Sequence, residues 1–264
     1  MELKLKGKKA LVTGSSSGIG EGIAKCLAKE GVHVMVQGRK KQELERVVEE
    51  ITATGGIAHF VEGDLSNDDD AKHVAAKTLQ TFQQLDILVN NAGAFPKRGW
   101  LESSPQDWID LFNVNVVAMV RMIQAFLPQM KTLGWGRIIQ IASVAGTDPA
   151  AGLPEYGVTK AANINMTVSL AKAVAGTGIT VNCVSPGPIV TPGAKELFYK
   201  MAVEKKWGSD WREIEKRVTQ EILPNLVGRF GTPEEVGNLV TFLASPAADY
   251  ITGTNYRIDG GRLA

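Results

Sequence analysis

Lys9-Ala10-Leu11-Val12-Thr13-Gly14-Ser15-Ser16-Ser17-Gly18-Ile19-Gly20 decides the fold. A short apolar run ends in a Gly/Ser-rich turn, and beyond it Ile19, Ile23, Cys26 and Leu27 recur on one face of a helix. Strand, glycine turn and helix in that order form the opening unit of a doubly wound sheet. Glycines there let the backbone approach a pyrophosphate, and the helix N-terminus offers it N–H donors and positive potential. The spacing is G-x-x-x-G-x-G rather than the commoner G-x-G-x-x-G, and alone it can also be read as a flexible Gly/Ser turn. Its place directly after an N-terminal strand gives it weight.

Outward from this unit, strand and helix signals keep alternating. Strands are expected at residues 32–37, 57–62, 85–90, 137–142, 179–185 and 256–259. Leu44, Val47, Val48 and Ile51 mark a helix stopped by Gly55-Gly56, and Ser66 with Asp69 resembles a capping box before Val74, Leu79 and Phe82. Ser104-Pro105-Gln106-Asp107 opens a long helix over 105–131, another spans 156–175, and Thr232-Pro233-Glu234-Glu235 caps one more. Continuous apolar strands alternating with amphipathic helices imply a parallel sheet covered on both faces. The expectation is one α/β domain over residues 1–264: a single-domain Rossmann fold, a doubly wound parallel sheet of about seven strands with helices on both faces.

Composition narrows the function classes. The 264 residues carry a formal net charge of +1, so no global field recruits nucleic acid or an anionic membrane. No apolar run approaches the roughly 18 residues of a membrane span, and the first residues lack a signal core, so a cytoplasmic protein is expected. Cys26 and Cys183 fall in helix and strand patterns and imply neither a disulfide framework nor a metal site. His33, His59 and His73 belong to no motif.

Two side-chain patterns carry chemistry. Arg39, in Gln37-Gly38-Arg39-Lys40-Lys41, follows the second strand, where an acid would accept from an adenosine 2′-hydroxyl and a base pairs with a 2′-phosphate. It favours NADP(H), with NAD(H) the alternative. Tyr156 and Lys160, in Tyr156-Gly157-Val158-Thr159-Lys160, share one helix face. A phenol ordinarily titrates near pH 10, and a neighbouring ammonium lowers that value towards the range of a useful base.

Taken with Asn90-Asn91-Ala92-Gly93, Asn115, Ser143 and Pro186-Gly187, these residues are similar in order and spacing to the short-chain dehydrogenase/reductase family. The likeness spans nearly the whole chain. Arg229-Phe230-Gly231-Thr232-Pro233-Glu234-Glu235 and Ile258-Asp259-Gly260-Gly261 resemble its 3-oxoacyl-carrier-protein reductase branch. The resemblance implies a ketone–alcohol oxidoreductase. Tyr156 would be its acid/base, Ser143 would donate to the substrate oxygen, Lys160 would hold the nicotinamide ribose, and Asn115 would bind a relay water. Asn115 is preferred over Asn113 by its distance from Gly93. The resemblance also implies a cofactor set of Gly14, Ser16, Ser17, Gly18, Ile19, Gly20, Arg39, Asp64, Leu65, Asn91, Ala92, Gly93, Tyr156, Lys160, Pro186, Gly187, Ile189 and Thr191. A homotetramer built on the long helices is the expected assembly, and a small carbonyl or alcohol the expected substrate. The resemblance leaves substrate choice to loops, here residues 94–100, 146–155 and the segment after Thr191; in the last, residues 193–227 are expected as a helical substrate lid, with Trp207 and Trp211 one turn apart if the helix runs through Gly208. A cofactor-binding regulatory protein that lost its chemistry is the competing reading, and intact Ser143, Tyr156 and Lys160 argue against it.

Overall fold

The computed structural model describes residues 2–262. Seven parallel strands, β1 (Lys9–Val12), β2 (His33–Gly38), β3 (Ile57–Glu62), β4 (Ile87–Asn90), β5 (Gly136–Ile141), β6 (Ile179–Pro186) and β7 (Asn255–Ile258), lie in the order β3-β2-β1-β4-β5-β6-β7. After β3 the chain crosses back to add β4 on the far side of β1. The crevice at that reversal, outside the carboxyl ends of β1 and β4, is where a doubly wound sheet binds ligands.

Every residue of β4, β5 and β6 is buried, because helices cover both faces. On one face α1 (Gly18–Lys29), α2 (Lys41–Ala53) and α9 (Pro233–Leu243) pack against Val12, Val34, Val89 and Ile139. On the other, α3 (Asp68–Phe82), α5 (Ala118–Leu133) and α6 (Pro154–Ala173) surround Leu11, Met35, Leu88 and Ile138. Alternate strand residues thus feed two separate apolar layers. The stretch Pro105–Leu133 is long and apolar enough by composition to cross a membrane. Here it is a core helix, with Met119, Met122, Phe126 and Met130 buried against the sheet.

Three local expectations change. α3 is capped not by Ser66 but by Asn67, whose side chain accepts from the N–H groups of Asp69 (2.9 Å) and Asp70 (3.2 Å). The Ser66 hydroxyl turns back to donate to Asp64 at 2.7 Å, so it is no longer available to the helix. The long helix is interrupted: α4 (Pro105–Phe112) keeps its Ser104/Asp107 capping box, and a π turn over Asn113–Val117 precedes α5. Finally, 192–221 forms two helices, α7 (Pro192–Glu204) and α8 (Trp211–Glu221). α7 already ends at Glu204, and Lys206 (φ +57°) and Gly208 (φ +83°) turn the chain before α8, so Trp207 and Trp211 do not share a helix. Both pack instead around a small third core of Phe198, Ala202, Ile214, Val218 and Phe230.

Candidate active site

Gly14, with φ +62°, makes the turn after β1, and a Cβ on it would lie 2.8 Å from the Ala92 Cα. Only glycine permits both the conformation and the approach of the two strand ends. That approach is braced by side chains given to the main chain. Thr13 Oγ1 accepts from the N–H groups of Asn91 (2.9 Å) and Ala92 (3.0 Å), and Asn91 Nδ2 donates to the carbonyls of Thr13 and Gly14. Gln37 accepts from Gly14 N at 3.1 Å and donates to the Gly63 carbonyl at 2.7 Å, joining three strand ends. Ser15 is buried and donates to Val12 O, which removes it from any ligand. Sequence reasoning missed Gln37, although a polar residue ending the apolar run Val34-Met35-Val36 was its signal.

A cavity of about 270 Å³ opens along this turn, lined by Gly14, Ser16, Ser17, Arg39, Asp64 and Leu65, with Ala92, Gly93, Val114 and Ala118 across from them. Ser17 sits at the N-cap of α1 without capping it through its side chain, unlike Thr191, Asp210 and Thr232 on α7, α8 and α9. The leading N–H groups of α1 are therefore free of a side-chain partner and suit an anion. At the far end the Arg39 guanidinium is mostly exposed, 3.8 Å from Asp64. Burial pushes the Asp64 carboxyl up, but the Ser66 N–H and hydroxyl outweigh it and hold the group below its ordinary value. Donors for phosphates, an apolar slot beside Leu65 and Ala118, and a cation at the rim fit a dinucleotide with an extra phosphate. On the other side of the turn, Pro186 and Gly187 pack against β7, with Gly187 N donating to Ile258 O at 3.0 Å. Ile189 is buried and bridges to Gly231, and Thr191 lies against Gly18 while its hydroxyl caps α7. Gly20 packs on Gly14 and Asn91, and Ile19 turns into the core.

Tyr156, Ser143, Lys160 and Asn115 come together at the carboxyl ends of β4 and β5. Burial pushes the Tyr156 phenol above its ordinary value, and the neighbouring Ser143 hydroxyl pulls it part of the way back. Lys160 stands one turn further along α6, its ammonium 5.6 Å from the centre of the Tyr156 ring. Burial is the largest effect on the phenol and acts upward, opposite to the lowering expected of Lys160. Burial also drives Lys160 down to about 8. Among the described residues its hydrogen-bond partner is the Ile141 carbonyl at 3.1 Å, and no carboxylate pairs with it. The nearby Cys183 thiol, pushed up by burial to about 11, stays neutral and supplies no counter-charge.

Asn115 occupies the π turn, fully buried. Its Oδ1 accepts from Ala94 N at 2.7 Å, and its Nδ2 donates to Ala94 O and to Thr159 Oγ1, both at 3.0 Å. A π turn widens the helix by one residue, which here aims an amide at the loop after Gly93. Asn113 faces elsewhere, donating to Ser66 O at 3.0 Å and accepting from Arg121. Thr159, Phe95, Arg98 and Glu155 also belong to this corner; residues 94–100 and 146–155 were expected to bear on the substrate, but contacts between a loop and two helix starts arise only through tertiary folding.

A family model for short chain dehydrogenases matches residues 8–202. The chain belongs to the short-chain dehydrogenases. This dehydrogenase is 38% identical to the 3-oxoacyl-(acyl-carrier-protein) reductase of Aquifex aeolicus, covering 99% of each chain. It is 35% identical to dehydrogenase/reductase SDR family member 4 of Oryctolagus cuniculus, over 97% of this chain and 94% of that one. Among solved structures it superposes on L-sorbose reductase from Gluconobacter frateurii, complexed with NADPH and L-sorbose, with a TM-score of 0.93. That pair is 35% identical, with 99% of this chain and 98% of the reductase covered. As a member of this family the chain is an oxidoreductase of Rossmann fold.

Proposed function

We propose that this short-chain dehydrogenase interconverts a ketone and a secondary alcohol with NADP(H), and that Tyr156 carries the proton. One observation supports this above all. A buried phenol, kept protonated, stands beside the Ser143 hydroxyl and a buried ammonium without a carboxylate. The bound nicotinamide supplies or accepts the hydride. Ser143 orients the substrate oxygen, and Tyr156 donates its proton to that oxygen as negative charge develops there. Lys160 stabilises the phenolate left behind and binds the nicotinamide ribose. Asn115 holds the loop at Ala94 and fixes Thr159, keeping a polar route from Lys160 towards solvent.

Ser16, Ser17 and the start of α1 would hold the pyrophosphate, Gly14 and Ala92 through Gly93 the adenosine, and Asp64 with Leu65 the adenine. Arg39 would take the 2′-phosphate. The NADPH complexes of the sorbose reductase and of actinorhodin polyketide ketoreductase, the latter 30% identical with a TM-score of 0.88, support the cofactor choice. Residues 193–227 would serve as the substrate lid. The outward faces of α4–α5 and α6, which expose Ile109, Val117, Val158 and Val168, serve a homotetramer that light scattering would detect.

Tyr156→Phe should cut NADPH-dependent ketone reduction by about 10²–10⁴-fold while NADPH still binds. Near-normal turnover would remove Tyr156 from the chemistry. Arg39→Asp should weaken NADPH by about 1.5–3 kcal/mol, the range of a charge-assisted bond, and bring NADH to parity or better. An enzyme that already prefers NADH would refute the cofactor assignment.

A further inference from the structure

Between β4 and α4 the chain crosses over the catalytic helix, and residues 91–99 belong to no helix or strand. Ala94 is fixed by Asn115. The next residue, Phe95, sets its ring edge-on to that of Tyr156, with centroids 4.7 Å apart and planes at 85°. About half of Phe95 nevertheless faces solvent, so packing alone does not hold it there.

Arg98 supplies the missing tether. Its Nε donates to Glu155 Oε1 at 2.9 Å, and its Nη1 donates to Asp107 Oδ1. Glu155 precedes Tyr156 in the first turn of α6, and Asp107 is the capping-box acid in the first turn of α4. One guanidinium therefore joins the loop to two helix starts. An exposed ion pair would do little. The Glu155 side chain, however, is only 1% exposed; among the described residues its Oε2 has no partner and Arg98 is its ion-pair partner. A carboxylate buried this deeply is strongly destabilising without its cation, so the pair resists being pulled apart. The planar fork of arginine can serve both carboxylates at once, which a lysine ammonium cannot do in the same geometry.

We propose that Arg98 is a positioning residue which, through buried Glu155, fixes the loop so that Phe95 stands beside the Tyr156 phenol. Phe95 is then the side chain that determines which ketones reach it. The inference rests on Tyr156 as the proton donor but concerns selection rather than proton transfer. Arg98 touches neither the phenol nor Lys160, and it acts only through where it holds Phe95.

The test uses the full-length enzyme, NADPH and two ketones, a short aliphatic one and a bulky aryl one. Phe95→Ala and Arg98→Met should shift the ratio of the two kcat/KM values in the same direction by about tenfold, chiefly through KM, with NADPH affinity unchanged. The double variant should shift the ratio no further than Phe95→Ala alone, since both act through one ring. Arg98→Met/Glu155→Met should regain thermal stability lost in Arg98→Met without regaining the ratio. Should Arg98→Met fail to fold, Arg98→Lys carries the same expectation, because it cannot span both carboxylates. A wild-type ratio in either Arg98 variant, or additive shifts in the double variant, would overturn the proposal. Loss of turnover on both ketones alike is reserved for Tyr156→Phe; if that variant stays active, the proton-transfer reading fails while the ratios still report on Arg98.

Discussion

On the glycine-turn side of the cleft, the side chains that shape the site are polar, and they are bonded to main chain: Thr13, Gln37 and Asn91 each brace two or more backbone groups at the strand ends. On the opposite side, 192–230 is held by an apolar cluster of its own, with Phe198, Trp211 and Phe230 in edge contacts and no strand of the sheet within it. The first arrangement fixes backbone positions to the tolerance a pyrophosphate requires. The second is a satellite core that can shift as a unit, because few bonds tie it to the sheet. On the proposed reading the cofactor would sit on the rigid side, and the substrate would meet the adaptable one.

The comparison can be broken first at its rigid end. Lys160→Met should lower turnover by about 10²–10⁴-fold while raising stability by about 1–3 kcal/mol at pH 7. The sign follows from burial. Lys160 titrates at about 8 in the folded protein against 10.5 ordinarily, so its charged form opposes folding. The gain in melting temperature should be full below pH 8 and fade as pH rises towards 10.5. A loss of stability at pH 7 would mean that the ammonium is better compensated than its single carbonyl partner suggests.

At the adaptable end, Phe230→Ala removes the most deeply packed ring of the third core, at a cost of about 3–5 kcal/mol if the cluster cannot collapse. Hydrogen exchange should accelerate across α7 and α8 and remain slow in β1, β4 and β5. KM for the ketone should rise while NADPH affinity holds within about twofold. Equal acceleration in the sheet would show that the two regions melt together and erase the contrast.

The smallest effect lies at the junction. Glu235 is held at about 2, first by Arg229 and also by the Thr232 N–H, in the capping box of α9. Glu235→Gln should cost about 1 kcal/mol at pH 7, mostly through the cap, since the Arg229 pair is well exposed. This contribution is present above the ordinary value of 4.5 and disappears as pH falls towards 2, so the variant and parent melting curves should converge in acid.

What the sequence disclosed follows the same division. The strands were legible from their apolar runs, and the cofactor turn from glycines whose positive φ and close contacts no other residue accepts. Asn115 was legible only through family spacing, since the π turn that aims it leaves no trace in hydrophobic periodicity. The break before α8 was foreseeable as a doubt at Gly208, but the helix already ends at Glu204. Arg98, Glu155 and Phe95 fell within the expected substrate loops, but their contacts were not legible, because an ion pair and an edge contact between residues so distant in sequence depend on how α4, α6 and the loop meet.

Val190 N donates to Gly231 O at 2.8 Å, and Gly231 N donates to Pro188 O at 3.0 Å, so the long excursion over 192–230 leaves and rejoins the sheet at nearly one point. A segment whose two ends already touch can change length and composition without moving the strands it hangs from. On the proposed reading, exchanging that cassette would admit new substrates while leaving the surroundings of Tyr156 untouched.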